Sequence, residues 1–398
     1  VRHLDTQIRL ANENPAKRIA LTLEPGQQAG EVDARVLVAE QSPSLWTVAV
    51  DNTGNDSTGM YRGYLRYQQA ALWDLDHVLS LQVGSSLTEP SSALSIGGNY
   101  RIPIYEHGMT LDVFAAYSDA DGGSTFTAAG ALRFNGSGEV LGALLTKHLQ
   151  RWGNFDQQVG LGLDYRQYLN NCEIAGLPPG ACGSAGESVT VTPLSIAYTG
   201  QKAGKNPAGF SLGLSHNLGI FGPNGSATNF EAVRPGAEQY YTLLRLAGYA
   251  TLALPGQWQL QGRLSGQLTP DALIPGEQFG IAGATTVRGY VEREVIGDRG
   301  VVGSVELYAP PWLEPFGTPQ AMLQGLAFAD AGKVWNYMDT PCVSSSASSS
   351  CQLASVGLGV RAAMQGFQLR VDVGYALKDG NTTMSGDVRT NFLATYSF

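Results

Sequence analysis

No run of apolar residues in this 398-residue chain approaches the roughly 18 to 20 that a helix needs to cross a bilayer, which excludes a helical membrane protein. Charge is scarce too. Only 15% of residues are Asp, Glu, Lys or Arg, and the net charge of −9 argues against sequence-independent nucleic-acid binding. The five histidines, His3, His77, His107, His148 and His216, are scattered, with no H-E-x-x-H, and G-x-x-x-x-G-K-[ST] is absent. The expectation is a non-enzymatic protein with no cofactor and no metal. Four cysteines fall in two close pairs, Cys172/Cys182 and Cys342/Cys351, without C-x-x-C spacing or a neighbouring His, so zinc is not expected. Each pair would close about ten residues of a Gly/Pro- or Ser-rich stretch, so two local disulfides in an oxidising compartment are expected. Four free loop thiols are the alternative. The start at Val1, without Met or a basic n-region, reads as a trimmed chain.

What the chain has in quantity is glycine, 50 residues without a collagen period, which suggests closely packed or tightly turning strands. From about Leu45 apolar and polar residues alternate. In Phe367-Gln368-Leu369-Arg370-Val371-Asp372-Val373-Gly374-Tyr375 one face is Phe, Leu, Val, Val, Tyr and the other Gln, Arg, Asp, Gly. Val159–Arg166 and Phe210–Ser215 repeat the arrangement. A water-soluble sandwich also alternates. Here, however, the polar face carries Arg and Asp on several strands and the other carries aromatics near strand ends. That combination suits a barrel with a wet interior and lipid outside.

Sixteen strands are expected, beginning near Trp46, Tyr61, His77, Leu94, Met109, Val140, Gln157, Val189, Phe210, Tyr240, Trp258, Val301, Met322, Ala354, Phe367 and Thr390. Phe126–Asn135 is strand-like and is assigned as an extension of the sixth. The reading is an all-β, antiparallel transmembrane barrel over 43–398. Long connections then follow odd strands (121–139, 170–187, 221–238, 268–300, 336–353, 378–389) and mostly short ones follow even strands. Outer-membrane barrels have this asymmetry of long external loops and short periplasmic turns. The last strand, Asn391–Phe398, puts Phe392, Tyr396 and Phe398 on one face, as bacterial outer-membrane barrels commonly do.

The longest loop carries Gly283-Ala284-Thr285-Thr286-Val287-Arg288-Gly289-Tyr290, and about forty residues later comes Phe328-Ala329-Asp330-Ala331-Gly332. Gly289 permits a tight turn, and Arg288 offers a donor fork that suits a carboxylate. Asp330 would project into the lumen, where a loop folded inward could place Arg288 against it. Such a pair in a wet lumen is worth about 1 kcal/mol, or more if partly buried. Glu306 is a weaker candidate for the same network.

Val-Arg-Gly-Tyr followed by Phe-x-Asp-x-Gly resembles the outer-membrane transporters of two-partner secretion (TpsB), the haemolysin secretion/activation family within the BamA-like superfamily. Gly297-Asp298-Arg299-Gly300, Glu306-Leu307 and Asp51-Asn52-Thr53-Gly54 with Ser57-Thr58-Gly59 also match. The resemblance spans nearly the whole chain, most specifically 278–307 and 326–332. It implies a loop tip of Val287, Arg288, Gly289 and Tyr290 entering the barrel, with Arg288 meeting Asp330 between Phe328 and Gly332. It also implies a bacterial outer-membrane pore that exports a partner exoprotein (TpsA-like, rich in β-helix) from periplasm to cell surface. The partner is recognised unfolded through its N-terminal secretion domain by periplasmic POTRA modules. Residues 1–42 look like the C-terminal part of one such module: Leu4, Ile8 and Leu10-Ala11 at helical spacing, a stop at Asn14-Pro15, then strands Arg18–Glu24 and Glu31–Glu40. A monomer in contact with outer-membrane lipid, with no nucleic-acid partner, is expected. Alternative readings are a BamA-type insertase, which shares the Val-Arg-Gly-Tyr loop, a passive porin, and a surface adhesin working through disulfide-closed loops.

Overall fold

The computed structural model describes residues 2–28, 31–55, 58–90, 93–119, 124–127, 130–133, 137–169, 187–314, 317–337, 339–343 and 347–398. Cys172 and Cys182 lie outside them. A helix, α1 (Arg2–Ala11), opens the chain. It ends where the buried Asn14 turns its amide to the Ala70 carbonyl at 2.6 Å and accepts from the Ala16 N–H at 2.9 Å, just before Pro15. A hairpin follows, β1 (Lys17–Pro25) on β2 (Val32–Glu40), pairing Lys17 with Glu40 through Pro25 with Val32. All of β2 is solvent-exposed.

The rest closes into one antiparallel barrel of sixteen strands. They are β3 (Ser44–Asp51), β4 (Arg62–Leu72), β5 (His77–Ser86), β6 (Leu94–Ile104), β7 (Met109–Asp119), β8 (Ser137–His148), β9 (Phe155–Leu169) and β10 (Pro193–Lys202). The circuit continues with β11 (Ala208–Asn217), β12 (Thr242–Ala253), β13 (Gln259–Leu268), β14 (Arg299–Tyr308), β15 (Met322–Trp335), β16 (Ser350–Met364), β17 (Phe367–Ala376) and β18 (Val388–Ser397). Closure is made by β18 on β3, Leu393 opposite Asp51 through Ser397 opposite Thr47.

The alternation read from sequence is the alternation of the barrel wall. On β7, Thr110, Asp112, Phe114, Ala116 and Ser118 are buried while Val113 and Tyr117 are exposed. Leu161, Leu163, Phe210, Leu212, Leu214, Leu358, Val373 and Tyr375 all face outward, whereas Asp112, Asp164, Asp330 and Asp372 are buried. Apolar outside and charged inside inverts a water-soluble protein and matches a lipid-facing barrel. Trp46, Trp73, Trp152, Trp258 and Trp312 are exposed at the short-turn end, and Tyr61, Tyr117 and Tyr375 at the other. These are the positions where amphipathic rings meet lipid headgroups.

Two strand assignments need correction. The described part of the stretch assigned as an extension of the sixth strand is not barrel wall: Ser124–Thr127 pairs with Gly130–Arg133 as a separate hairpin. The eighth strand is also not continuous from Val189. Val189–Val191 pairs with the end of β9, Thr192 interrupts, and the strand resumes at Pro193.

Helix α1 lies at the short-turn end of the barrel, against the turns. Arg9 donates to Asp156 at 2.8 Å and to the Leu149 carbonyl at 2.9 Å. Lys17 pairs with Asp76 of the β4–β5 turn.

Candidate functional site: a loop docked across the lumen

Residues 269–298, between β13 and β14, fold back against the inner wall of the barrel. The segment builds its own scaffold: a 3-10 turn at Pro275–Glu277, Phe279–Gly280 paired with Ile296–Gly297, and a bridge from Ala282 to Val287. Ile281, Ala282, Val287, Tyr290 and Val295 are fully buried and pack with the wall residues Val302, Val334, Leu353 and Ala376. Burial at roughly 1.5–3 kcal/mol per large apolar side chain makes this docking substantial. The Tyr290 hydroxyl lies 2.9 and 2.8 Å from the Ala354 and Lys378 carbonyls, fixing the loop to β16 and to the β17–β18 connection.

At the tip the backbone turns through Gly289, with φ of 96°, against β17. A Cβ on Gly374 would stand 2.7 Å from the Gly289 nitrogen, so two glycines permit main chain to meet main chain. The turn aims Arg288 into the wall, where it has no solvent exposure. Asp330 accepts from its Nε at 2.7 Å, from its Nη2 at 2.8 Å and from its backbone N–H at 3.1 Å. Arg288 Nη2 also donates to the Ser304 hydroxyl at 3.1 Å, and Nη1 stands 2.7 Å from Glu306 and 3.5 Å from Asp372. The guanidinium carbon sits 3.4 Å above the Phe328 ring centroid, a cation–π stack. Each member of the Phe-x-Asp-x-Gly strand thus has a distinct task. Phe328 stacks, Asp330 binds bidentately, and Gly332 leaves room for Ile281, whose Cβ would be 3.0 Å from a side chain there.

The structure brings together Val287, Arg288, Gly289, Tyr290, Phe328, Asp330, Gly332 and Glu306. Of the two expectations for the pair, about 1 kcal/mol if wet and more if buried, the buried one applies, because both side chains are 0% exposed and solvent cannot screen the contact. Sequence reasoning missed the rest of the cluster. Arg263 reaches Glu306 at 2.9 Å, and Arg361 and Arg370 reach Asp372 at 2.8 and 2.6 Å. Four guanidinium groups (263, 288, 361, 370) therefore face three carboxylates (306, 330, 372). Arg370 and Asp372 were legible only as the polar face of a strand. Among the described residues no group of three metal-ligating side chains converges. Gly209-Phe210-Ser211-Leu212-Gly213 spells G-x-S-x-G. It lies inside β11 and lacks the strand-to-helix turn that exposes a nucleophile.

Two further acids hold the base of the loop. Asp298 is fully buried and chelated by Arg234 at 2.5 and 2.9 Å, and it accepts from the backbone N–H groups of Leu273 and Tyr337. Glu277 meets Arg166 of β9 at 3.0 Å, Arg245 of β12 at 3.1 Å and the Tyr168 hydroxyl at 2.8 Å. Burial pushes the Glu277 carboxyl up, but the Arg166 and Arg245 guanidinium groups outweigh it and hold the acid below its ordinary 4.5. Burial likewise opposes Asp298, while the Arg234 and backbone hydrogen bonds hold it below 3.8. Cys342, disulfide-bonded to Cys351, packs on the same apolar cluster as the loop tip. Between loop tip and α1 lies a cavity of about 760 Å³, bounded by Thr285 and Thr286 on one side and by Arg9, Asn12 and Glu13 on the other.

A model of the haemolysin secretion/activation proteins ShlB/FhaC/HecB matches residues 30–362. The fold is similar to that of CdiB from Escherichia coli, with a TM-score of 0.78 over 100% of this chain and 70% of that one, at 16% identity. CdiB from Acinetobacter baumannii gives 0.72 over 99% and 67%, at 18% identity. BamA from Haemophilus ducreyi lacking POTRA domains 1–3 gives 0.61 over 98% and 77%, at 14% identity. At such identities the likeness is one of fold. No curated protein matches the chain in sequence.

Proposed function

The chain belongs to the haemolysin secretion/activation family and is an outer-membrane transporter of two-partner secretion; within that role we propose that the 269–298 loop is the element whose displacement opens the path for a secreted exoprotein. The observation that carries this is the burial of Arg288 among three carboxylates of the wall, at the tip of a loop that occupies the lumen. A charged contact is a device for holding one geometry that another can replace, and its components survive intact when it opens. The cavity beneath the tip is the space from which an extended chain would approach.

The finer reading follows from the same family. The partner is a TpsA-like exoprotein that arrives unfolded and is recognised by its N-terminal secretion domain. Residues 2–40, a helix and a hairpin with an exposed second strand, are the end of a periplasmic POTRA module, and α1 holds it to the barrel turns through Arg9 and Asp156. The transporter works as a monomer in contact with outer-membrane lipid and is not an enzyme; folding of the partner outside the cell supplies the driving force. The insertase reading draws support from fold alone, and a passive porin gives no account of the lumen loop.

Secretion of a candidate partner by cells carrying wild type or Arg288→Ala, with barrel insertion followed by heat-modifiability, tests the reading. Secretion lost from a normally inserted barrel is the expected result. Unchanged secretion would reduce the Arg288 cluster to a brace.

A further inference from the structure

In a closed ring of sixteen, strands eight positions apart face each other across the lumen. β9 is the seventh strand of the barrel and β17 the fifteenth. The loop is ionically tied to both. Its Glu277 sits against Arg166 on β9, and its Arg288 lies within 3.5 Å of Asp372 on β17. The loop is therefore a strap across the barrel with an acidic fastening on one wall and a basic fastening on the other.

The geometry points to Glu277 as a second lock, a positioning residue whose release from Arg166 and Arg245 is as necessary for transport as the release of Arg288. This rests on the reading that the loop moves, and it adds that the far end moves too. Glu277 is 2% exposed, and both its carboxylate oxygens are engaged, one by Arg166 and Tyr168 and the other by Arg245. The contact is close in shape as well as in charge: a Cβ on Gly276 would fall 2.5 Å from the Tyr168 ring. A fixed hinge would need only covalent continuity with β13. This end instead sets a buried acid against β9, four strands round the ring from β13, as well as against Arg245 of β12, the neighbour of β13. While the strap is seated, Glu277 shares Arg166 with Asp164 of the same strand, which stands 2.6 Å away, and pairs Arg245 of β12; once it lifts, Arg166 keeps Asp164 and Arg245 loses its acid.

Two reversible cross-links in the full-length protein separate the ends. Tyr168→Cys with Gly276→Cys ties the Glu277 end to β9. Ile281→Cys with Gly332→Cys ties the Arg288 end to β15. Both cross-links, once formed, are expected to arrest secretion, and reductant is expected to restore it in the same cells. Arrest by the 281–332 cross-link alone would make the Glu277 end a stationary hinge and overturn the second lock while leaving loop movement intact. Arrest by neither would overturn both. Glu277→Gln keeps the shape and removes the charge, and it decides the matter if the cysteine pairs do not secrete when reduced. In a planar bilayer its open-channel probability is expected to rise about tenfold, the effect of weakening hydrogen bonds between charged groups. Open probability equal to wild type would count against the lock.

Discussion

Exchanging the two charges, Arg288→Asp with Asp330→Arg, distinguishes a simple pair from the three-carboxylate cluster. If Arg288 served Asp330 alone, the exchange would restore attraction across the same gap. In this structure Nη1 of Arg288 also stands 2.7 Å from Glu306 and 3.5 Å from Asp372. An acid at 288 would face both. Like charges near 4 Å repel by about 4 kcal/mol each at an effective dielectric of about 20, and the exchanged acid would protonate or withdraw to escape them. Its shorter side chain would also leave Phe328 without the guanidinium that now stacks on it at 3.4 Å. Each single substitution breaks a buried pair at a cost of roughly 3–5 kcal/mol, and the exchange is expected to recover little of it. The assay is the temperature of heat-modifiability together with secretion, for wild type, both single variants and the exchange. Recovery of the exchanged protein to within about 1 kcal/mol of wild type, the range of ordinary surface pairs, would refute the argument that Arg288 is shared.

Gly374→Ala should act on the same contact without touching a charge, since its Cβ would lie 2.7 Å from the Gly289 nitrogen and 2.9 Å from the Arg288 carbonyl carbon. Overpacking of about 1–3 kcal/mol is expected to lift the loop tip, seen as a lower heat-modifiability temperature and faster proteolysis within 269–298. Acidification should loosen the loop base. Glu277 and Asp298 have docked-state acidities below their ordinary 4.5 and 3.8, so their stabilisation is complete above those values and is lost as pH falls through the lowered ones. Channel activity should be flat from pH 7 to about 5 and rise only below about 4.5, with Glu277→Gln blunting the response; a rise centred near pH 6.5 would assign it to a histidine instead.

Much of the barrel was legible because its information is local. Period-two alternation fixes which side chain meets lipid whatever the neighbouring strand, so reading Phe367–Tyr375 outward by its Phe, Leu, Val and Tyr needed no partner. Turn residues and loop lengths set the sixteen strand starts to within a few residues. The misassigned stretch has the same cause: the residues from Phe126 to Asn135 read like barrel wall, and nothing local to them says that Ser124–Thr127 and Gly130–Arg133 pair with each other instead. Val-Arg-Gly-Tyr and Phe-x-Asp-x-Gly marked Arg288 and Asp330 because both motifs are contiguous in sequence and carry the family resemblance, and a guanidinium fork suits a carboxylate.

Ring closure decided the rest. Glu277, Arg166 and Arg245 are more than thirty residues apart at the least, and nothing in their spacing names them as partners. They meet because a ring of sixteen strands sets β9 opposite β17 and obliges a loop between β13 and β14 to cross the space between. Gly374 belongs to the same class, a small residue on a strand until the loop arrives against it. The chain by itself determined a lipid-facing barrel and the identity of its loop tip, through patterns of neighbouring residues. Tertiary structure alone decided that the tip is buried rather than wet and that the loop is fastened on two facing walls, because both depend on residues that only closure of the barrel brings within reach.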